Sequence, residues 1–133
     1  MMSQVFVSGH KSPDTDSIAA ALSYSYLKRR LGMDAVAVRA GEINKESRFA
    51  LDYFNLEEPI LVTSVERKNP EDEKQKVILV DHNESKQTID GMDDAEVLEI
   101  IDHHRFGDFE SENPIFILVR PVGCVNTAIY GLY

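Results

Sequence analysis

The sequence contains a single cysteine, Cys124, so no disulfide framework can form within its 133 residues. A lone cysteine is typical of proteins from reducing compartments, and we therefore expect a cytoplasmic location. No stretch approaches the roughly 20 consecutive apolar residues of a membrane-spanning helix, which predicts no membrane partner. The N-terminus also lacks the charged start, long apolar run and small-residue cleavage site of a secretory signal peptide.

Positive charge is scarce as well. Lys and Arg number 14 against 23 Asp and Glu, which leaves a net charge of -9. A nucleic-acid surface needs clustered Lys and Arg, so we expect no nucleic-acid partner. Two divalent cations would offset four units of negative charge and create a positive centre for an anionic substrate. A simpler interpretation is that the acidity only keeps the protein in solution.

The pattern of apolar residues predicts one α/β domain. At 43% hydrophobic residues the chain can bury a globular core. Apolar strand-like runs alternate with helical segments, which predicts a mostly parallel sheet flanked by helices in three layers. Strands are expected at 4–8, 35–38, 60–62, 77–80, 97–101 and 115–119, and helices at 17–31, 45–54 and 123–130. The polar stretch 64–76 is expected to form an exposed loop.

The first helix shows an apolar repeat. Ile18, Leu22 and Tyr26 recur at i, i+4 and i+8 and predict its buried face, with Ala21 and Ser25 on the adjoining edge. Asp16 or Ser17 is expected to cap its N-terminus. The second helix places four apolar residues on one side, namely Phe49, Ala50, Tyr53 and Phe54.

Acidic and histidine clusters follow several of the strand-like runs. They lie at residues 9–16, 81–84 and 102–104, and a turn at 121–124 has a similar position. In open α/β sheets the carboxyl ends of neighbouring strands share one crevice, where ligands bind. Imidazole and carboxylate together suit a divalent transition metal, and carboxylates can bridge two such ions. The clusters therefore predict a metal site at this end of the sheet.

His10, Asp14 and Asp16 lie in a tight loop that precedes a helix. An imidazole nitrogen and a carboxylate oxygen can both reach one cation at about 2.0–2.2 Å. Asp14 and Asp16, two residues apart, can face different cations. In the alternative interpretation both aspartates only cap helices and His10 is a solvated turn residue.

Asp81 directly follows the apolar run 77–80, so its side chain is expected at the tip of a strand. A carboxylate there could bridge two metal ions about 3.5–4 Å apart, or only cap the next turn. His82 is interpreted as a packing or supporting histidine. Asn83 could donate to a phosphate oxygen or fix a carboxylate.

Asp102, His103 and His104 are expected to have distinct roles. One histidine would bind metal, and the other, kept protonated, would donate to an anionic substrate. Asp102 could accept a ring N–H and set the tautomer of a histidine. Gly123 and Cys124 begin a predicted helix whose free N–H groups could hold a phosphate, although ordinary helix entry explains them equally. Cys124 is interpreted as a small buried residue rather than a nucleophile.

These motifs resemble the DHH phosphoesterase superfamily, and in detail its family II inorganic pyrophosphatases, which depend on manganese or cobalt. The Asp-His-Asn-Glu motif resembles the pyrophosphatases more than relatives that cleave short RNAs or cyclic dinucleotides. The resemblance covers 1–133 and implies a DHH metal-binding catalytic domain. The matching motifs are Gly-His-Lys-Ser-Pro-Asp-Thr-Asp-Ser at 9–17, Val-Asp-His-Asn-Glu at 80–84, Asp-His-His-Arg at 102–105 and Pro-Val-Gly-Cys at 121–124.

The resemblance implies a role for each matching residue. His10 and Asp14 would hold one manganese or cobalt ion, Asp16 and His103 a second, and Asp81 would bridge them. Catalytic roles are expected for Asp81, Asp102 and His104, and substrate contacts for His104, Asn83 and Gly123. The implied reaction is hydrolysis of pyrophosphate to two phosphates by a metal-activated water, and Mg²⁺ could accompany the substrate.

Length is the departure from this family. Its members continue to a further metal-binding aspartate and to a C-terminal domain whose Lys and Arg close over pyrophosphate. Neither lies within these 133 residues, so we expect this chain to be a partial catalytic unit that binds manganese yet hydrolyses pyrophosphate poorly. No regulatory insert precedes the Asp-His-Asn motif. The resemblance also implies a homodimer that pairs through an edge strand of this domain. Two alternatives stay open: a DHH phosphodiesterase acting on oligonucleotides or cyclic dinucleotides, and a non-catalytic metal-binding or dimerisation module.

Overall fold

The computed structural model describes residues 4–133, so residues 1–3 of the expected domain lie outside the described residues. The strands are β1 (Val5–Ser8), β2 (Ala35–Arg39), β3 (Ile60–Leu61), β4 (Lys76–Val80), β5 (Glu96–Asp102) and β6 (Phe116–Val119). The helices are α1 (Thr15–Arg30), α2 (Lys45–Tyr53) and α3 (Val125–Tyr130), with 3₁₀ turns at Ser85–Gln87 and Met92–Asp94. Within the described range these six strands form one parallel sheet, ordered β3-β2-β1-β4-β5-β6. The predicted α/β fold is confirmed.

The sheet is buried between two apolar layers. On one face, α1 and α3 pack against side chains such as Val7, Ile78 and Ile101. On the other face, Leu79 and Ile100 belong to a second apolar cluster. Val65 and Ile89, which lie outside the helices and strands, also belong to it. Burial on both faces explains why the central strands are continuous apolar runs.

The chain reverses its direction of strand addition at β1. It adds β2 and β3 on one side of β1 and then returns to place β4 on the other side. Such a switch point leaves a crevice at the carboxyl ends of β1 and β4. The loops that follow β1, β4, β5 and β6 therefore meet at one end of the sheet.

A bulge in β5 explains the polar residue in that run. Pairing with β4 passes from Val97 directly to Glu99, so the intervening residue is left out of the register. The Glu99 carboxylate accepts a hydrogen bond from the Tyr24 hydroxyl and lies 2.7 Å from Lys28 Nζ. A charge this deeply buried needs such partners.

The N-cap of α1 differs from the prediction. Asp14, rather than Asp16 or Ser17, caps the helix: its backbone is extended and its Oδ1 accepts the Ser17 N–H at 2.9 Å. The helix consequently begins at Thr15. Asp16 is unavailable as a cap for α1 because its carboxylate points toward α3.

The predicted buried face of α1 is also partly wrong, because Tyr26 is 51% exposed. Ile18 is buried as expected. Ala21 and Ser25, expected at the edge of this face, are buried together with Ala20, and these small side chains let the helix approach the sheet closely.

The aromatic side of α2 faces solvent. Phe49, Tyr53 and Phe54 are 69%, 72% and 67% exposed, whereas Ser47 and Leu51 are the buried residues of this helix.

No helix in the described part of the chain is both long and apolar enough to cross a membrane.

The polar stretch 64–76 is mostly exposed but anchored at several points. Val65 is buried in the second apolar cluster, and Arg67 Nη2 lies 2.7 Å from Asp94 Oδ1. The last residue of the stretch, Lys76, begins β4.

Candidate metal centre

The five residues predicted as metal ligands converge at the carboxyl end of the sheet. His10 Nε2 lies 3.7 Å from Asp14 Oδ1 and 3.3 Å from Asp81 Oδ2. His103 Nε2 lies 2.9 Å from Asp81 Oδ1 and 3.5 Å from Asp16 Oδ2. The two oxygens of Asp81 therefore face two different groups of side chains.

Asp81 is held at the centre by its backbone. It is buried and its φ of 64° lies in the left-handed region, which is uncommon for a residue other than glycine. Its N–H donates to the Ile101 carbonyl at 2.9 Å, which ties the first residue after β4 to β5. Strain of this kind costs about 1–3 kcal/mol and is found preferentially at functional sites.

Ser17 is a supporting residue that the sequence analysis interpreted only as a possible cap. Its hydroxyl donates to Asp81 Oδ2 at 3.0 Å and accepts the His10 N–H at 3.3 Å. A Cβ at Gly9 would lie 2.6 Å from Ser17 Oγ, so only glycine fits there. The pairing of Gly9 with Ser17 in the 9–17 motif was the available signal.

Asp16 binds the start of α3. Its carboxylate accepts the Val125 N–H at 2.9 Å, the Cys124 thiol at 2.8 Å and the Asn126 side-chain amide at 2.6 Å. Burial favours the neutral acid, but these hydrogen bonds outweigh it and lower the pKa of Asp16. The same helix start includes exposed Gly123, whose contact with substrate stays a prediction.

The two adjacent histidines are oriented by different partners. Nδ1 of His103 lies 2.8 Å from the Val122 carbonyl, which leaves its Nε2 directed at Asp81. Nδ1 of His104 lies 2.7 Å from Asp102 Oδ1, and the side chain is 48% exposed. Because each Nδ1 faces an acceptor, each donates a proton there; Nε2 of His103 then faces Asp81, and Nε2 of His104 is left to other partners.

Asn83 fixes the Asp102 carboxylate. Its Nδ2 donates to Asp102 Oδ2 at 2.7 Å and to the Arg105 carbonyl at 2.9 Å, while its Oδ1 accepts the Gly107 N–H at 2.7 Å. This supports one of the two roles expected for Asn83. A contact between Asn83 and substrate stays a prediction.

His82 is a neutral packing histidine behind His10. It is completely buried, its Nδ1 lies 2.9 Å from the Val80 carbonyl, and burial lowers its pKa to about 4. Nε2 has no hydrogen-bond partner among residues 4–133. Its ring meets that of His10 edge-on at 6.5 Å.

The charges around Asp81 affect both histidines that face it. The hydrogen bond to Asp81 raises the pKa of His10. Partial burial opposes protonation of His103, but the Val122 carbonyl and Asp81 outweigh it and raise its pKa as well. A metal ion must displace these protons, so metal binding weakens as the pH falls.

Two sets of side chains could each hold a metal ion. His10, Asp14 and Asp81 offer ligand atoms within 4.8 Å of one another, and so do Asp81, Asp102, His103 and His104. In the second set, Asp102 already accepts hydrogen bonds on both oxygens. Asp16 Oδ2 also accepts the Val125 N–H, and it lies 3.5 Å from His103 Nε2; the motif resemblance implies this oxygen as the third ligand. These nitrogen and oxygen donors suit manganese and similar divalent ions.

Comparison with known families agrees with this arrangement. Residues 4–133 match the model described as "DHH family, N-terminal domain". The chain belongs to the DHH family. This DHH chain is 37% identical to a Methanococcus jannaschii protein whose crystal structure is described as a candidate family II inorganic pyrophosphatase. That comparison has a TM-score of 0.81 and covers 97% of this chain and 38% of the other.

Curated relatives agree with the structural neighbour. An Exiguobacterium protein and a Bacillus licheniformis protein, each 50% identical over 132 residues, carry the name "probable manganese-dependent inorganic pyrophosphatase". The DHH chain is 99% covered in both comparisons and spans 41% of the length of each relative.

Because Asp81 faces both candidate metal sites, Asp81→Asn and Asp14→Asn should differ in their effect on metal binding. Asp81→Asn should weaken binding of both ions, whereas Asp14→Asn should weaken one, because only Asp81 faces both histidines. We expect the Asp81→Asn loss to exceed the Asp14→Asn loss roughly tenfold or more. Asparagine tolerates the left-handed backbone at 81 and caps helices well at 14, so both variants should fold. Calorimetric titration with Mn²⁺ measures the two losses, and equal losses would contradict the shared position.

Proposed function

We propose that this DHH domain is the metal-binding part of a manganese-dependent inorganic pyrophosphatase, acting in the cytoplasm. The observation that carries the proposal is the buried Asp81 carboxylate with His10 on one oxygen and His103 on the other. Two ions, manganese or cobalt, would bind there, with Asp14 completing one set and Asp16 the other. Mg²⁺ could accompany the substrate. The names of the relatives support pyrophosphate as that substrate.

The reaction adds water to one phosphorus atom of pyrophosphate and breaks the bridging P–O bond, which yields two phosphates. Two bound divalent ions would lower the pKa of the attacking water and neutralise charge on the phosphoryl group. The protein holds the carboxylates and imidazoles that seat those ions in fixed positions, through Ser17 at Asp81 and α3 at Asp16.

His104 is proposed to contact the substrate. Its Nδ1 proton is directed to Asp102, and the side chain is 48% exposed, so Nε2 is available to a ligand. A protonated ring could donate from Nε2 to a phosphate oxygen while Asp102 holds its orientation. Asp102 in turn accepts a hydrogen bond from Asn83, which lies just after β4. The end of β4 therefore helps to orient the His104 ring.

The phosphodiesterase alternative is less well supported. Oligonucleotide substrates favour positively charged surfaces, and this chain has a net charge of -9. A non-catalytic metal-binding module is the second candidate, because the same side chains could hold an ion without turning over a substrate.

A substrate comparison tests the proposed reaction. With Mn²⁺ present, the protein should release phosphate from pyrophosphate slowly and leave a cyclic dinucleotide intact. His104→Gln should reduce phosphate release while metal binding persists, because the half-exposed ring is held by Asp102 and is not one of the proposed metal ligands. Cleavage of the dinucleotide without pyrophosphate hydrolysis would favour the phosphodiesterase. Manganese binding without either reaction would favour the non-catalytic module.

We further propose that two copies pair at the edge of the sheet formed by β3. The aromatic patch there, defined by Phe49, Tyr53 and Phe54 of α2, is exposed, and its rings contact one another at centroid distances of 6.0 and 5.0 Å. Ile60 and Leu61 of β3 are also exposed. Exposed apolar patches and open strand edges are typical of association surfaces.

Sedimentation tests the pairing. A dimer would have twice the 15.0 kDa mass of the chain. Tyr53→Glu should dissociate it, because a charge would be buried in the aromatic patch. The matched control is Phe116→Glu, at the opposite edge of the sheet, where the residue is 49% exposed. A monomer at high concentration, or equal effects of the two variants, would refute pairing at β3.

A further inference from the structure

Asn126 is a polar residue of α3 that the proposed mechanism does not use. Its side-chain Nδ2 lies 2.6 Å from Asp16 Oδ1 and 3.2 Å from the Asp16 carbonyl. One amide group thus contacts both the side chain and the backbone of Asp16. No motif in the sequence pointed to this residue.

The two oxygens of Asp16 have different surroundings. Oδ1 accepts from the Cys124 thiol, from Asn126 Nδ2 and, at 3.4 Å, from the Asn126 backbone N–H. Oδ2 accepts the Val125 N–H and faces His103 Nε2 at 3.5 Å. The bonds to Oδ1 fix the rotation of the carboxylate. Oδ2 is therefore the oxygen that remains directed at the candidate ion between Asp16 and His103.

Asn126 is in turn oriented from α1. The Ser23 hydroxyl donates to Asn126 Oδ1 at 3.2 Å, so the carbonyl end of the amide faces Ser23 and the NH₂ end faces Asp16. The reversed amide would place two oxygens against each other at Asp16 and lose both bonds. Ser23, Asn126 and Asp16 form one hydrogen-bonded chain between α1 and α3.

We infer that Asn126 is a positioning residue for the second metal ion, the one assigned to Asp16, His103 and Asp81. The inference rests on the proposed metal centre. Two effects compete when Asn126 is removed. The carboxylate becomes a slightly stronger donor, but it also gains rotational freedom and loses its shortest hydrogen bond. Loss of supporting hydrogen bonds at metal ligands typically weakens affinity 10- to 100-fold, so weakening should prevail.

Titration with Mn²⁺ alone tests this, with free Mn²⁺ measured by its EPR signal. In Asn126→Ala we expect one of the two ions to bind roughly 10- to 100-fold more weakly and the other to bind as before. The matched control is Thr127→Ala, an exposed neighbour on α3, which should leave both affinities unchanged. Unchanged or tighter binding in Asn126→Ala would overturn the inference, and so would equal weakening of both ions, which indicates a general structural role.

A double-mutant cycle with Ser23 separates positioning from general packing. Ser23→Ala should weaken the same ion by a smaller factor, and this effect should disappear in the Asn126→Ala background, because Ser23 acts through the amide. Additive effects would contradict the chain of hydrogen bonds. The titration uses no pyrophosphate, so its result is independent of hydrolysis. If the unaltered protein binds no Mn²⁺, the proposed function itself fails.

Discussion

The rest of the site depends on the contact of the buried Asp81 carboxylate with two histidines, one on each of its oxygens. Three structural features create it: the apolar strand β4 that ends there, the left-handed backbone of Asp81, and its hydrogen bond to Ile101. A lone buried carboxylate would be costly, because burial removes its hydration. Two bound cations would offset this cost, because each would attract the buried carboxylate.

The helices around the sheet hold the remaining ligands in place. Asp14 and Asp16 both lie at the start of α1, yet one caps that helix and the other accepts hydrogen bonds from α3. This division directs the two carboxylates to opposite sides of Asp81. Asp14 and Asp16, although two residues apart, therefore contribute to two different candidate metal sites.

Much of the fold and the convergence of the candidate ligands could be predicted, since strand ends in a parallel sheet converge and Asp81 and Asp102 directly follow apolar runs. Other features depend on tertiary contacts. The exposure of Tyr26 follows from the small residues that bring α1 against the sheet. Ser17 and Asn126 acquire their roles from partners distant in sequence, 64 and 110 residues away. The 9–17 motif gave a local signal for Ser17, and no local pattern marks Asn126.

An EPR spectrum of the protein with two equivalents of Mn²⁺ tests the central claim most directly, because a carboxylate that bridges two ions couples their electron spins. Ions about 3.5–4 Å apart on Asp81 should give a broad, exchange-coupled spectrum. In Asp81→Asn the coupling should be lost. Two independent six-line manganese signals from the unaltered protein would contradict the bridge and the account of the site built on it.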